Sequence, residues 1–118
     1  MRAITLLSVL FLLPGLANAH PGHGFETGFV AGAVHPFTGL DHLLGIALAG
    51  LLMGWLPAAR RWLVCAGFLA LSGVAHVLWT PEAASPGFVA GLLLVTAGLV
   101  AAGMAATRLV RLTAAARR

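Results

Sequence analysis

The amino-acid sequence predicts an all-α membrane protein, and three observations carry this prediction. The mean hydropathy is +1.00, and 60% of the residues are hydrophobic. Only 8% of the residues are charged, whereas soluble domains usually carry about 25%. The apolar residues form long runs separated by short turns that contain proline. Because so little polar surface cannot cover a water-soluble globule, we expect one transmembrane helical domain over residues 20–118, with spans at about 25–56, 62–79 and 87–107.

The first 19 residues have the features of a cleavable secretory signal peptide. Arg2 supplies the positive charge, Ile4 to Leu13 form a short apolar segment, and Ala17-Asn18-Ala19 is an A-x-A cleavage site. Cleavage would place the mature N-terminus at His20, on the outer side of the membrane. The alternative is an uncleaved anchor.

The first apolar segment, Phe25 to Leu56, is interrupted by Pro36, which removes a backbone donor and disfavours helix at His35. Two interpretations are open. One is a single long helix kinked at His35-Pro36, which we prefer. The other is a half-helix from Phe25 to Val34 that leads into a break, followed by a span from about Gly39 to Leu56.

The placement of arginine predicts the topology of the remaining spans. All seven basic residues are arginines, and the net charge is +4. Arg60 and Arg61 follow the first span, the turn before the third span has no basic residue, and the tail carries Arg108, Arg111, Arg117 and Arg118. By the positive-inside bias, we expect an inner-membrane, multi-pass protein with a periplasmic mature N-terminus and a cytoplasmic C-terminus. Arginines at span ends do not form a nucleic-acid-binding face, so no nucleic-acid partner is expected.

Glycines spaced four residues apart predict close helix contacts in all but the second span. The pairs are Gly28 with Gly32, Gly50 with Gly54, and Gly87 with Gly91. The single cysteine, Cys65, cannot form an internal disulfide and is expected to be a packing residue.

The strongest chemical signal is a cluster of titratable residues beside an uncharged apolar run. His35, Asp41 and His42 precede the segment from Leu43 to Leu56, which carries no charge. If the chain were helical throughout, His35, Gly39 and His42 would share one face. Two imidazoles and a carboxylate suit a first-row divalent cation. An alternative is that Asp41 only caps the following helix or pairs with a protonated histidine.

Three further histidines are expected on the same side of the membrane. The antiparallel order brings His76, near the end of the second span, to the depth of His35. His20 and His23 would emerge there, where the free α-amine and imidazole of His20 can chelate a metal. The alternatives are an interhelical hydrogen bond for His76 and a solvated terminus for His20 and His23. The predicted metal ligands are thus His35, Asp41, His42, His20, His23 and His76.

The cluster is similar to the first signature of the HupE/UreJ family of hydrogenase- and urease-accessory membrane proteins. The matching segment reads His35-Pro36-x-x-Gly39-x-Asp41-His42-x-Leu44 and continues to Gly50. The signature commonly reads H-P-x-x-G-x-D-H-x-L-x-M-x-x-V-G, and Ile46 and Ala49 replace its methionine and valine. The signal peptide and the histidines after it also resemble the family. The resemblance is strong over residues 1–56 and implies a nickel permease.

The chain also departs from that family pattern. Members usually have about six spans and a second motif of the form H-x-x-A-H-G-x-E, of which Ala75-His76 is at most a partial match. Either the chain is a short relative, or it completes a pathway as a homo-oligomer.

We therefore expect a protein that is not an enzyme. It would bind Ni²⁺, or Co²⁺, Zn²⁺ or Cu²⁺, and take it up as an accessory to hydrogenase or urease maturation. The alternative is a metal-binding or scaffold membrane protein that transports nothing. A hydrolase using Ser72 and His76, four residues apart, is a third interpretation, but no nucleophile motif supports it.

Overall fold

A computed structural model describes residues 28–80 and 85–118. The predicted signal peptide, His20, His23 and Glu82 lie outside the described residues. Within the described part of the chain, the regular structure is entirely helical. The chain forms α1 (Phe29–Val34), a 3₁₀ turn (His35–Phe37), α2 (Leu40–Gly54), α3 (Ala58–Trp79) and α4 (Pro86–Ala116).

The first apolar segment changes direction sharply, but not at His35-Pro36. Pro36 lies in the first turn of the 3₁₀ helix, where its missing N–H group has no intrahelical partner to lose. The bend of 83° comes after that turn, between Phe37 and Leu40. Gly39 there is extended, with φ −137° and ψ 134°. The arrangement is thus nearer to the half-helix interpretation than to the kinked helix that we preferred.

Two of the helices, α3 and α4, are long and apolar enough to cross a membrane, and the bent segment makes a third if it counts as one span. This finding agrees with a helical membrane protein of about three spans. The helix α4 continues to Ala116, well beyond the expected end of the third span at about residue 107.

Glycines bring α4 into backbone contact with both halves of the bent segment. A Cβ atom on Gly32 would overlap the carbonyl oxygen of Phe88, and one on Gly91 would overlap that of Phe29. Further along, a Cβ on Gly50 would lie 2.7 Å from the carbonyl oxygen of Val100. Such contacts are possible only for glycine, as the spacing of small residues predicts. They fix α1 and α2 against α4.

In contrast, α3 is held loosely and exposes most of its apolar surface. Only Cys65 and Gly73 are buried on this helix, and Leu63, Leu71 and Leu78 are exposed. Cys65 is a buried free thiol in a small apolar cluster with Ile46, Met53 and Val100, as expected for a packing residue. Exposed leucines at this density are typical of a surface that faces lipid or another subunit.

Candidate metal site

Three histidines from separate elements converge at one end of the bundle. His35 begins the 3₁₀ turn, His42 lies in the first turn of α2, and His76 lies in the last turn of α3. Each is half-buried and offers one nitrogen, and the three nitrogens lie within 4.8 Å of one another. We call these three residues the imidazole cluster. Its geometry allows all three side chains to bind a single cation.

The two closest members of the cluster are His35 and His76. Their Nε2 atoms are 3.0 Å apart, and their ring centroids are 4.8 Å apart with perpendicular planes. The ring of His42 lies 5.2 Å from that of His35 and 6.3 Å from that of His76. The antiparallel order of α2 and α3 brings these rings together. His76 therefore lies at the depth of His35, as the order of the spans in the sequence predicted.

The backbone of α3 sets the tautomer of His76. Its Nδ1 lies 2.9 Å from the carbonyl oxygen of Ser72, and a carbonyl can only accept, so Nδ1 carries the proton. In its neutral form, His76 then has its lone pair on Nε2, which faces Nε2 of His35 at 3.0 Å. Metal-binding histidines commonly donate their other ring N–H group to a backbone carbonyl in this way.

Asp41 contacts His42 rather than the converging nitrogens. Its Oδ1 lies 3.3 Å from Nδ1 of His42, and both side chains are 39% exposed. A carboxylate at Nδ1 favours the tautomer that keeps Nε2 available for an ion. Asp41, predicted from the sequence as a ligand, thus contacts one ring of the imidazole cluster and lies outside the converging group of three.

Gly39 makes room for this pair. A Cβ atom at this position would overlap Oδ1 of Asp41 and would lie 2.9 Å from Nδ1 of His42. The space beside Gly39 is thus taken by the side chains of Asp41 and His42.

Phe88 is a component of the site that the sequence analysis missed. It is 4% exposed, and its ring packs edge-on against His35 at a centroid distance of 5.5 Å and lies 6.4 Å from His76. It thus closes the apolar side of the imidazole cluster. The sequence did offer a signal for Phe88. It lies two residues after Pro86, at the end of the third span that was expected to lie at the depth of the histidines.

The hydrolase interpretation finds no support in the geometry around Ser72. Its hydroxyl donates to the carbonyl oxygen of Phe68 at 2.8 Å. The contact of His76 is with the carbonyl oxygen of Ser72 and not with its hydroxyl. A serine nucleophile needs its hydroxyl hydrogen-bonded to the base, and this pair lacks that bond.

Comparison with known protein families found a match over the part of the chain that carries His35 and His42. The family model described as HupE / UreJ protein matches residues 7–74, which include His35, Asp41 and His42 and end two residues before His76. Protein HupE of Rhizobium leguminosarum bv. viciae is 34% identical over 83 residues, covering 70% of this chain and 43% of that protein. The chain thus spans less than half of the length of that relative. No solved structure matches the chain.

The family match covers more than half of the chain and includes the histidine-rich signature. The helices α3 and α4 are long and apolar enough to cross a membrane. The chain therefore belongs to the HupE/UreJ family, whose members are permease-like accessory proteins of membranes and not enzymes.

Proposed function

We propose that this protein binds a divalent first-row metal ion, Ni²⁺ above all, and passes it across the cytoplasmic membrane for hydrogenase or urease maturation. The observation that carries the proposal is the convergence of His35, His42 and His76, whose nitrogens lie within 4.8 Å of one another. Neutral imidazole is a good ligand for Ni²⁺, Cu²⁺ and Zn²⁺. The ion is the cargo of the protein in this proposal.

The 3.0 Å between the Nε2 atoms of His35 and His76 is the length of a hydrogen bond in the ion-free cluster. Imidazole nitrogens bind Ni²⁺, Cu²⁺ and Zn²⁺. Membership of the HupE/UreJ family favours nickel among these ions.

Binding of the ion requires one proton to move. In the ion-free cluster, a single proton between the Nε2 atoms of His35 and His76 makes their 3.0 Å hydrogen bond. An ion bound by both atoms needs a lone pair on each, so that proton must leave the pair. Binding of the ion to the imidazole cluster is therefore coupled to the loss of a proton. Return of a proton to the cluster would then release the ion.

The remaining predicted ligands fit an entry route. His20 and His23 would gather the ion at the periplasmic surface and deliver it to the imidazole cluster, which the positive-inside bias places on that side. Three imidazoles leave coordination positions open for such a transfer. Asp41 would hold His42 in its binding orientation and add negative charge beside the site.

A homo-oligomer would complete the transport route. The described helices supply two spans, or three with the bent segment, which is few for an enclosed path. The exposed leucines of α3 offer a surface for a second copy. Mass photometry of the detergent-purified protein is expected to show a mass of at least two chains.

The proposal is tested first by binding. Purified protein is titrated with Ni²⁺, Cu²⁺, Co²⁺ and Zn²⁺, and the His35→Ala, His42→Ala and His76→Ala variants are each expected to bind Ni²⁺ at least about tenfold more weakly. Ser72→Ala is the matched control, because it removes a hydroxyl beside the cluster and keeps the carbonyl that His76 uses. Equal affinity in all four variants would reject the cluster as the metal site.

Transport is tested separately in liposomes that hold a Ni²⁺-sensitive dye. Wild-type protein should admit Ni²⁺, and His42→Ala should not. Binding without flux would favour the alternative of a metal-binding scaffold, and flux that His42→Ala does not change would contradict the proposed route. Uptake in cells that carry a nickel-dependent hydrogenase or urease identifies the client enzyme.

A further inference from the structure

A second site lies at the end of the bundle opposite the imidazole cluster. An open cleft of about 460 Å³ is formed where α2 ends and the last turns of α4 pass it. The helix α2 separates the two ends by about 22 Å, since its 15 residues rise 1.5 Å each. The cleft is lined by one tryptophan, two arginines and small or branched apolar residues: Trp55, Val110, Arg111, Ala114, Ala115 and Arg118.

The charge in this cleft has no anionic partner in the described part of the chain. Arg111 is held over the indole of Trp55, with its guanidinium carbon 5.6 Å from the ring centroid. Six of the seven arginines of the protein lie towards this end. Asp41, the acidic residue within the described ranges, lies at the opposite end and contacts His42. The cleft therefore presents two exposed guanidinium groups that an anion from outside the chain can reach.

The depth of the cleft is that of the lipid headgroups. The helix α4 has 31 residues and is about 46 Å long, whereas the hydrocarbon core of a bilayer is about 30 Å thick. Its last turns, which carry Arg111 and Arg118, must therefore leave the core. Trp55 and Trp62 at this end are 62% and 66% exposed, as is usual for tryptophans of the membrane interface.

We propose that this cleft binds the headgroup phosphate of an anionic phospholipid of the phosphatidylglycerol type. The guanidinium groups of Arg111 and Arg118 donate hydrogen bonds to the phosphate oxygens. The indole of Trp55 and the apolar wall at Val110 and Ala114 contact the glycerol and the first acyl carbons. A lipid is favoured over free phosphate because the wall is apolar and opens at headgroup depth. Basic pockets between helices bind anionic headgroups in this way.

The test compares two double variants that lose the same charge. Arg111→Gln/Arg118→Gln removes both cleft arginines, and Arg108→Gln/Arg117→Gln removes two exposed arginines of the same helix end that do not line the cleft. Each protein is reconstituted in phosphatidylcholine nanodiscs with or without 20% phosphatidylglycerol, a fraction of roughly the order found in anionic membranes. Native mass spectrometry after detergent transfer measures retained phosphatidylglycerol, and thermal unfolding measures its stabilising effect.

Wild type and the Arg108→Gln/Arg117→Gln variant should retain phosphatidylglycerol and show a raised Tm in its presence. The cleft variant should retain it at least about tenfold less and show no such rise, while its Tm in phosphatidylcholine alone stays near that of wild type. Equal losses in both variants would show general surface attraction and overturn the proposal. Displacement of the lipid by millimolar inorganic phosphate would instead assign the cleft to a free anion.

Discussion

Asp41 shows how the chemistry of a single residue depends on its nearest neighbour. Its carboxylate lies against Nδ1 of His42, outside the group of nitrogens that converge. An anion there fixes the tautomer and orientation of the ring, and such supporting residues change metal affinity without touching the metal. The same principle applies to His76, for which the carbonyl of Ser72 takes the place of the carboxylate.

Asp41→Asn is therefore expected to weaken Ni²⁺ binding by about 10- to 100-fold, as measured by titration of the purified protein. If Asp41 acts through His42, the double variant Asp41→Asn/His42→Ala should bind no more weakly than His42→Ala alone, because the two residues act as one unit. Fully additive losses would show that Asp41 is a ligand in its own right.

Gly39 offers a second test at the residue scale. Gly39→Ala places a methyl group against Asp41 and His42, so it should lower Ni²⁺ affinity while the helices remain folded. Gly45→Ala is the control, because a Cβ there meets nothing within 4 Å. Circular dichroism and metal titration of both variants check the expectation, and equal affinity would show that the Asp41–His42 pair can shift freely.

At the scale of the elements, α4 positions the metal site although it carries none of the three histidines. It packs against α1 through backbone contacts at Gly32 and Gly91 and against α2 at Gly50. Its Phe88 also packs against the rings of His35 and His76. The short helix α1 has only six residues, so it depends on this contact for its position. Displacement of α1 would carry His35 away from the cluster.

Gly91→Ala should therefore destabilise the protein by about 1–3 kcal/mol, the usual effect of overpacking, and should weaken metal binding as well. Gly98→Ala on the same helix is the matched control, since a Cβ there meets nothing within 4 Å. That variant should be neutral or more stable by up to about 1 kcal/mol. Thermal unfolding in one detergent compares the two variants, and equal Tm values would refute the close contact.

For the whole molecule, the separation of charge between the two ends predicts the orientation in the membrane. The imidazole cluster and Asp41 lie at one end, and the arginines that follow α2 and end α4 lie at the other. From the positive-inside bias we expect the arginine-rich end in the cytoplasm. Metal capture and lipid binding would then occur on opposite sides of the same bilayer.

Cysteine labelling in intact cells tests this orientation. In a Cys65→Ser background, Thr38→Cys beside the imidazole cluster should react with a membrane-impermeant maleimide, because Thr38 is exposed. Arg118→Cys should react only after the cells are opened. The reverse pattern would place the imidazole cluster in the cytoplasm and would contradict uptake from the periplasm.

The sequence alone determined the class of this protein and indicated the three histidines of the imidazole cluster. Composition and the placement of arginine are sufficient to predict a helical membrane protein, because few structures other than apolar helices can cross a bilayer. The motif around His35 and His42, with His76 added by topology, indicated the site. Only the tertiary structure decided where the first segment bends, that Asp41 contacts His42, and that Phe88 packs against the imidazole cluster. These features depend on contacts between distant residues, and local sequence patterns carry no information about the packing that produces them.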